Sequence, residues 1–133
     1  MEEVLRRADI VSIHLHLNES TRNIIGAKEI AMMKPGSFLV NISRGGLVDE
    51  DALYEALVSG HLAGAGIDTW ATEPNIKDCP LLTLDTVVAT GHTASGTIDT
   101  FRKQAIACFD NIVKADREGY PDFCVGENKH TRS

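Results

Sequence analysis

The chain is expected to fold as an α/β domain built on a parallel sheet with helices on both faces. Three observations predict it. Four short apolar stretches, starting near Ile10, Ser37, Leu62 and Thr86, are rich in β-branched or small residues. Amphipathic segments separate the first three, and each apolar stretch runs out into a polar or glycine-containing turn. Alternation of this kind suits parallel strands joined by right-handed helical crossovers.

Glu2 and Glu3 precede Arg6 and Arg7, the charge order a helix dipole favours, and Val4, Leu5 and Ala8 give this first helix an apolar side that ends near Asp9. Ile10-Val11-Ser12-Ile13-His14 is the first strand. A polar loop, residues 18–23, follows its carboxyl end. Ala27 to Met33 carries Ile30 and Met33 at helical spacing and is ended by Lys34-Pro35-Gly36, because proline cannot continue the hydrogen-bond ladder. Ser37-Phe38-Leu39-Val40 reads as a buried second strand.

Asn41-Ile42-Ser43-Arg44-Gly45-Gly46-Leu47-Val48-Asp49 comes next, with a cation and two glycines between strand and helix. Gly45 and Gly46 would let backbone approach closely at this strand end. Asp49 is placed to cap a helix running to about Ser59, with Glu50 and Asp51 in its first turn, Leu53, Ala56 and Leu57 on one face, and Gly60 as its stop. Leu62 to Asp68 is a strand of small residues, which calls for another backbone or a helix packed close against it. A long turn through Thr72-Glu73-Pro74 and Cys79-Pro80 leads to the fourth strand, Thr86 to Thr90, and then to Gly91-His92-Thr93. The closing helix, about Gly96 to Ala115, shows Ile98, Phe101, Ala105, Phe109 and Ile112 at steps of three and four, a stripe expected to lie in the core. Residues 127–133 are a polar tail.

Composition narrows the function classes. With 133 residues and 43% hydrophobic content the chain can bury a real core. Its formal net charge of −6, with no long basic run, argues against nucleic acid as a partner. Cys79, Cys108 and Cys124 have neither disulfide nor zinc spacing, Met1-Glu2-Glu3-Val4 has no leader-like apolar region, and no apolar run approaches a membrane span. A cytoplasmic location is expected.

Four strand ends carry, in order, His14 and His16, Arg44, Asp68 with Glu73 beyond it, and His92. In a parallel sheet the carboxyl ends share one edge, so these side chains can converge. Arg binds a carboxylate bidentately and His titrates nearest neutrality, a set suited to proton transfer beside an anionic substrate. Blander readings exist for each: a loop cation for Arg44, a turn cap for Asp68, a solvated loop acid for Glu73, a surface turn residue for His92. His14 and His16 share a strand face and suit a metal, as in barrel hydrolases, but such a barrel needs about 250 residues, so no metal site is expected.

The Asn41 to Glu50 segment, Gly64-Ala65-Gly66-Ile67-Asp68, Glu73-Pro74 and Gly91-His92 resemble, in order and spacing, the D-isomer-specific 2-hydroxyacid dehydrogenases, which include phosphoglycerate, glyoxylate/hydroxypyruvate and D-lactate dehydrogenases. The resemblance implies the second half of a Rossmann-type domain, with residues 1–126 as a partial nicotinamide-dinucleotide-binding domain. It implies hydride exchange between NAD, or NADP, and a small 2-hydroxy or 2-keto acid. Arg44 would grip the substrate carboxylate. His92 would move the hydroxyl proton, with Glu73 bonded to it and raising its pKa. Asp68, His14, Ile42 and Ser95 match places where the family touches the cofactor.

Some of the family pattern is missing. No G-x-G-x-x-G fingerprint, and no acidic residue reading the ribose, is found in the chain, nor is the substrate domain. His16 and Gly91 stand where the family often has proline, and Thr93 where an apolar residue is common; Gly91 would aim His92 less rigidly. The alternative reading is therefore a truncated, non-catalytic module acting in self-association or partner binding. An unpaired edge along the Ile10 strand would favour a homodimer.

Overall fold

The structure is a computed structural model that describes residues 1–74 and 76–123. It contains two compact units, Met1–Ala94 and Ser95–Ser133. The first holds helices α1 (Glu2–Arg7), α2 (Ala27–Met32) and α3 (Glu50–Val58) and strands β1 (Ile10–Ile13), β2 (Ser37–Asn41), β3 (Leu62–Ile67) and β4 (Val87–Ala89). All strand pairs are parallel and the order is β1-β2-β3-β4. Every carboxyl end therefore lies on one edge.

The register sorts the side chains. Val11, Leu39 and Ala65 stand side by side, as do Ile13, Asn41 and Ile67 on the same face. These residues are buried, and α1, α2 and α3 pack along that face in turn, as right-handed crossovers stepping steadily across a sheet require. Leu39, Leu47, Leu53 and Leu81 are sealed from solvent, each contributing about 2 kcal/mol of burial. On the other face lie Ile10, Phe38 and Val88, all more than two-fifths exposed.

The glycines of β3 are filled from beside them. A Cβ on Gly64 would come within 2.8 Å of the Thr86 carbonyl oxygen and 3.2 Å of the Phe38 ring, and one on Gly66 would meet the Val40 methyls. Small residues here admit the neighbouring strands' own atoms rather than a crossing helix. Gly60 ends α3 with φ of 74°. Two 3-10 turns, Gly45–Leu47 and Pro80–Thr83, fall in segments expected to be irregular.

The second unit carries α4 (Ile98–Glu118), capped by the Thr97 hydroxyl, which accepts from the Thr100 N–H at 3.1 Å, and closed by Gly119 at φ of 80°. The apolar stripe expected in the core is instead exposed: Phe101, Phe109 and Ile112 each keep more than three-fifths of their surface in solvent. The pattern of the stripe is right and its burial is not, because the described part of this unit offers one helix and too little apolar surface to cover it. Cys124 and the 127–133 tail lie outside the described residues.

Candidate active site at the carboxyl edge of the sheet

The Arg44 turn is built from the end of β2. Asn41, sealed from solvent, donates from its amide to the Arg44 carbonyl at 2.9 Å and accepts the Ser43 N–H at 3.1 Å. The Ser43 hydroxyl reaches the Ile13 carbonyl at 3.1 Å, tying this turn to the end of β1. Beyond it the Asp49 carboxylate accepts the Ala52 N–H at 3.1 Å and starts α3. The Arg44 side chain is exposed, touches the Ser43 carbonyl at 2.7 Å, and forms no salt bridge among the described residues.

Asp68 organises the end of β4. Its Oδ1 accepts the Thr90 hydroxyl at 2.5 Å and the Thr93 N–H at 2.8 Å, its Oδ2 accepts the Ala94 N–H at 2.9 Å, and its carbonyl accepts the His92 N–H at 2.7 Å. These bonds hold His92 at φ of 58°, a left-handed conformation uncommon outside glycine. Burial pushes the Asp68 carboxyl upward, but the hydrogen bonds from Thr90, Ala94 and Thr93, with the nearby His92, outweigh it and hold the carboxyl below its ordinary value.

So held, the His92 ring meets Glu73. Nδ1 stands 2.9 Å from Glu73 Oε2, while Oε1 accepts the Trp70 N–H at 2.8 Å. The bond from His92, then that from Trp70, lower the Glu73 pKa against a smaller cost of burial, and the charges of His92 and Arg44 act the same way. An ionised carboxylate only accepts, so the proton between the two belongs to Nδ1, and Nε2 is the nitrogen left for chemistry. The pair opens on a cleft of about 290 Å³ lined by Trp70, Glu73, Pro74, Ile76, Gly91 and His92.

The other expected residues are more scattered. His14 follows β1 and its Nε2 lies 2.8 Å from the Ser12 hydroxyl. With β1 and β4 at opposite sides of the sheet, three strand spacings separate their ends, about 14 Å. Ile42 is exposed just past β2. Ser95 opens the second unit, where its carbonyl accepts the Thr97 N–H at 3.0 Å. His16 contributes its carbonyl to the Thr21 hydroxyl at 2.8 Å.

Sequence reasoning passed over Asn41, Trp70 and Thr90, which touch the site segments directly. A polar residue closing an apolar strand was the available signal for Asn41, since a buried amide must find partners. A second cleft of about 300 Å³ adjoins Glu50, Asp78 and Cys79, but burial and the adjacent carboxylates keep the Cys79 thiol protonated.

Residues 1–94 match the family described as D-isomer specific 2-hydroxyacid dehydrogenase, NAD binding domain. The chain belongs to that family. Over 125 residues it is 42% identical to glyoxylate/hydroxypyruvate reductase B of Pectobacterium carotovorum, a match covering 94% of the chain and 39% of that protein. The crystal structure of a glyoxylate reductase from Paecilomyes thermophila superposes with a TM-score of 0.85 at 38% identity, covering 96% of this chain and 39% of that one. The NAD-complexed D-isomer specific 2-hydroxyacid dehydrogenase of Lactobacillus delbrueckii ssp. bulgaricus gives 0.86 at 36% identity, covering 95% and 42%. This dehydrogenase-family chain thus spans about two-fifths of the length of these three relatives. No helix among the described residues is long and apolar enough to cross a membrane.

Proposed function

We propose that this family member serves hydride exchange between a small 2-hydroxy or 2-keto acid and NAD or NADP, with Arg44 as the substrate clamp and His92–Glu73 as the acid/base pair. The observation that carries the reading is the 2.9 Å contact between His92 Nδ1 and Glu73 Oε2, facing an open cleft. Arg44, free of any salt bridge among the described residues, offers its planar fork to a carboxylate. His92 Nε2 takes the substrate hydroxyl proton in the oxidative direction and returns it in the reductive one. Glu73 stays ionised and stabilises the imidazolium that forms.

The nicotinamide ring, when bound, supplies the hydride acceptor or donor. We assign Asp68 to the nicotinamide carboxamide, and His14, Ile42 and Ser95 to other contacts with the cofactor. The residues suit the nicotinamide end: Asp68 Oδ2 accepts the Ala94 N–H and a carboxylate oxygen can take a second bond, and Ile42 presents an exposed apolar surface. We assign residues 1–126 to a partial dinucleotide-binding domain acting in the cytoplasm.

Calorimetric titration with NADH, with and without a 2-keto acid, tests this reading, followed by turnover assays on the chain and on His92→Ala. Micromolar binding is expected, with His92→Ala losing turnover while keeping cofactor. Unchanged turnover in that variant would remove His92 from the mechanism.

A second reading, self-association, is favoured by the exposed Met1, Val4 and Ile10 beside the outer edge of β1, each more than three-fifths in solvent. On this reading sedimentation is expected to show a homodimer that Ile10→Lys weakens. A clean monomer on light scattering would overturn it.

A further inference from the structure

We infer that Trp70 is the positioning residue of the Glu73–His92 pair, joining through its two N–H groups the segment that carries the acid to the segment that carries the imidazole. The inference rests on the proposed acid/base role of that pair. The backbone N–H of Trp70 donates to Glu73 Oε1 at 2.8 Å. Its indole N–H donates to the Thr90 carbonyl at 2.9 Å, two residues before His92. Trp70 is 4% exposed, so the donor side of this second bond is buried, although Thr90 itself reaches solvent.

The placement also reaches the third member of the site. The Trp70 carbonyl sits where a side chain on Gly45 would be, directly after Arg44. One residue thus abuts the Arg44 turn, orients the Glu73 carboxylate and anchors the strand end leading to His92. Glu73 and His92 are both partly in solvent, 34% and 43% exposed, so solvent alone would let the side chains drift apart. The Thr90 bond supplies the restraint. A phenyl ring at this position would lack the donor and also leave part of the space empty, so only a ring of indole size without the N–H separates the bond from apolar bulk.

Trp70 is the only tryptophan in the chain, which permits an atom-level test. Biosynthetic replacement of tryptophan by its benzothiophene analogue puts sulfur in place of the indole N–H and keeps the ring. The readout is the titration of the Glu73 side-chain carboxyl by carbon NMR in the full chain, in the analogue, in Trp70→Phe and in His92→Ala. Loss of the Thr90 bond is expected to raise the Glu73 midpoint toward that of His92→Ala, with the heat-unfolding transition of the analogue still cooperative.

The outcomes separate the two claims. A midpoint raised in His92→Ala and unmoved in the analogue overturns the positioning role and leaves the acid/base pair standing. A midpoint unmoved in both means that the pair does not form in solution, and both claims fall. In the unsubstituted chain the single indole N–H resonance is expected to exchange slowly with solvent; fast exchange would overturn the bond to Thr90 directly.

Discussion

A Cβ on Gly45 would stand 1.9 Å from the carbonyl carbon of Trp70 and 2.3 Å from the Ala71 nitrogen. The obstruction is main chain on both sides, so no rotamer change relieves it. This contact joins the Arg44 turn to the loop bearing Glu73, and it explains why the turn needs glycine there. Gly45→Ala is expected to cost about 3 kcal/mol or more. Gly91→Ala, with open space around the added atom, is expected to stay within about 0.5 kcal/mol. Urea denaturation of both variants checks the contrast; equal midpoints would mean that the two loops are not in contact.

Arg44→Lys tests the clamp. Lysine keeps the charge and loses the bidentate fork, so kcat/KM for a 2-keto acid in an active preparation is expected to drop about tenfold or more, mostly through KM. Unchanged steady-state kinetics would dismiss the carboxylate role.

Acid should unfasten the His92 segment. Asp68 and Glu73 both have pKa values lowered below their ordinary 3.8 and 4.5. A depressed carboxyl contributes stability that is fully present above its unfolded value and disappears as pH falls through its folded value. Stability should therefore fall with pH from about 5 downward. Asp68→Asn removes one of the two groups, and its urea midpoint is expected to be lower at neutral pH and to change less between neutrality and acid. Parallel pH profiles for the two proteins would show that Asp68 is not linked to folding.

Thr69, beside Asp68, offers a control of opposite sign. Its hydroxyl is buried and has no hydrogen-bond partner among the described residues. Thr69→Val keeps the shape and removes the unsatisfied group, so a gain of about 1 kcal/mol is expected. Differential scanning calorimetry gives the answer, and a loss of similar size would mean that the hydroxyl is bonded.

Much of the architecture was legible because it follows from local rules. Asp49 capping α3, Gly60 closing it, and the apolar runs at Ile10, Ser37 and Leu62 all appear where short-range sterics and capping place them. Parallel pairing followed from alternation of strands and helices. The approximate grouping of Arg44, Glu73 and His92 at one edge followed from parallel pairing.

The order β1-β2-β3-β4 and the particular bonds at that edge belong to the tertiary structure. Periodicity marks an apolar stripe on α4 and cannot say what covers it, so Phe109 and Ile112 are exposed against expectation. Trp70 and Thr90 bear no motif; their roles arise from hydrogen bonds between residues twenty and twenty-two positions apart, which no local pattern encodes. Residue types and spacing by themselves pointed to the fold class and to proton transfer beside an anion, and the resemblance of the motifs pointed to the family and its hydride chemistry. Only packing decided that the backbone of Trp70 occupies the space beside Gly45 and that Asp68 holds His92 in a left-handed turn, because those positions are set by contacts between segments that meet only once the sheet has formed.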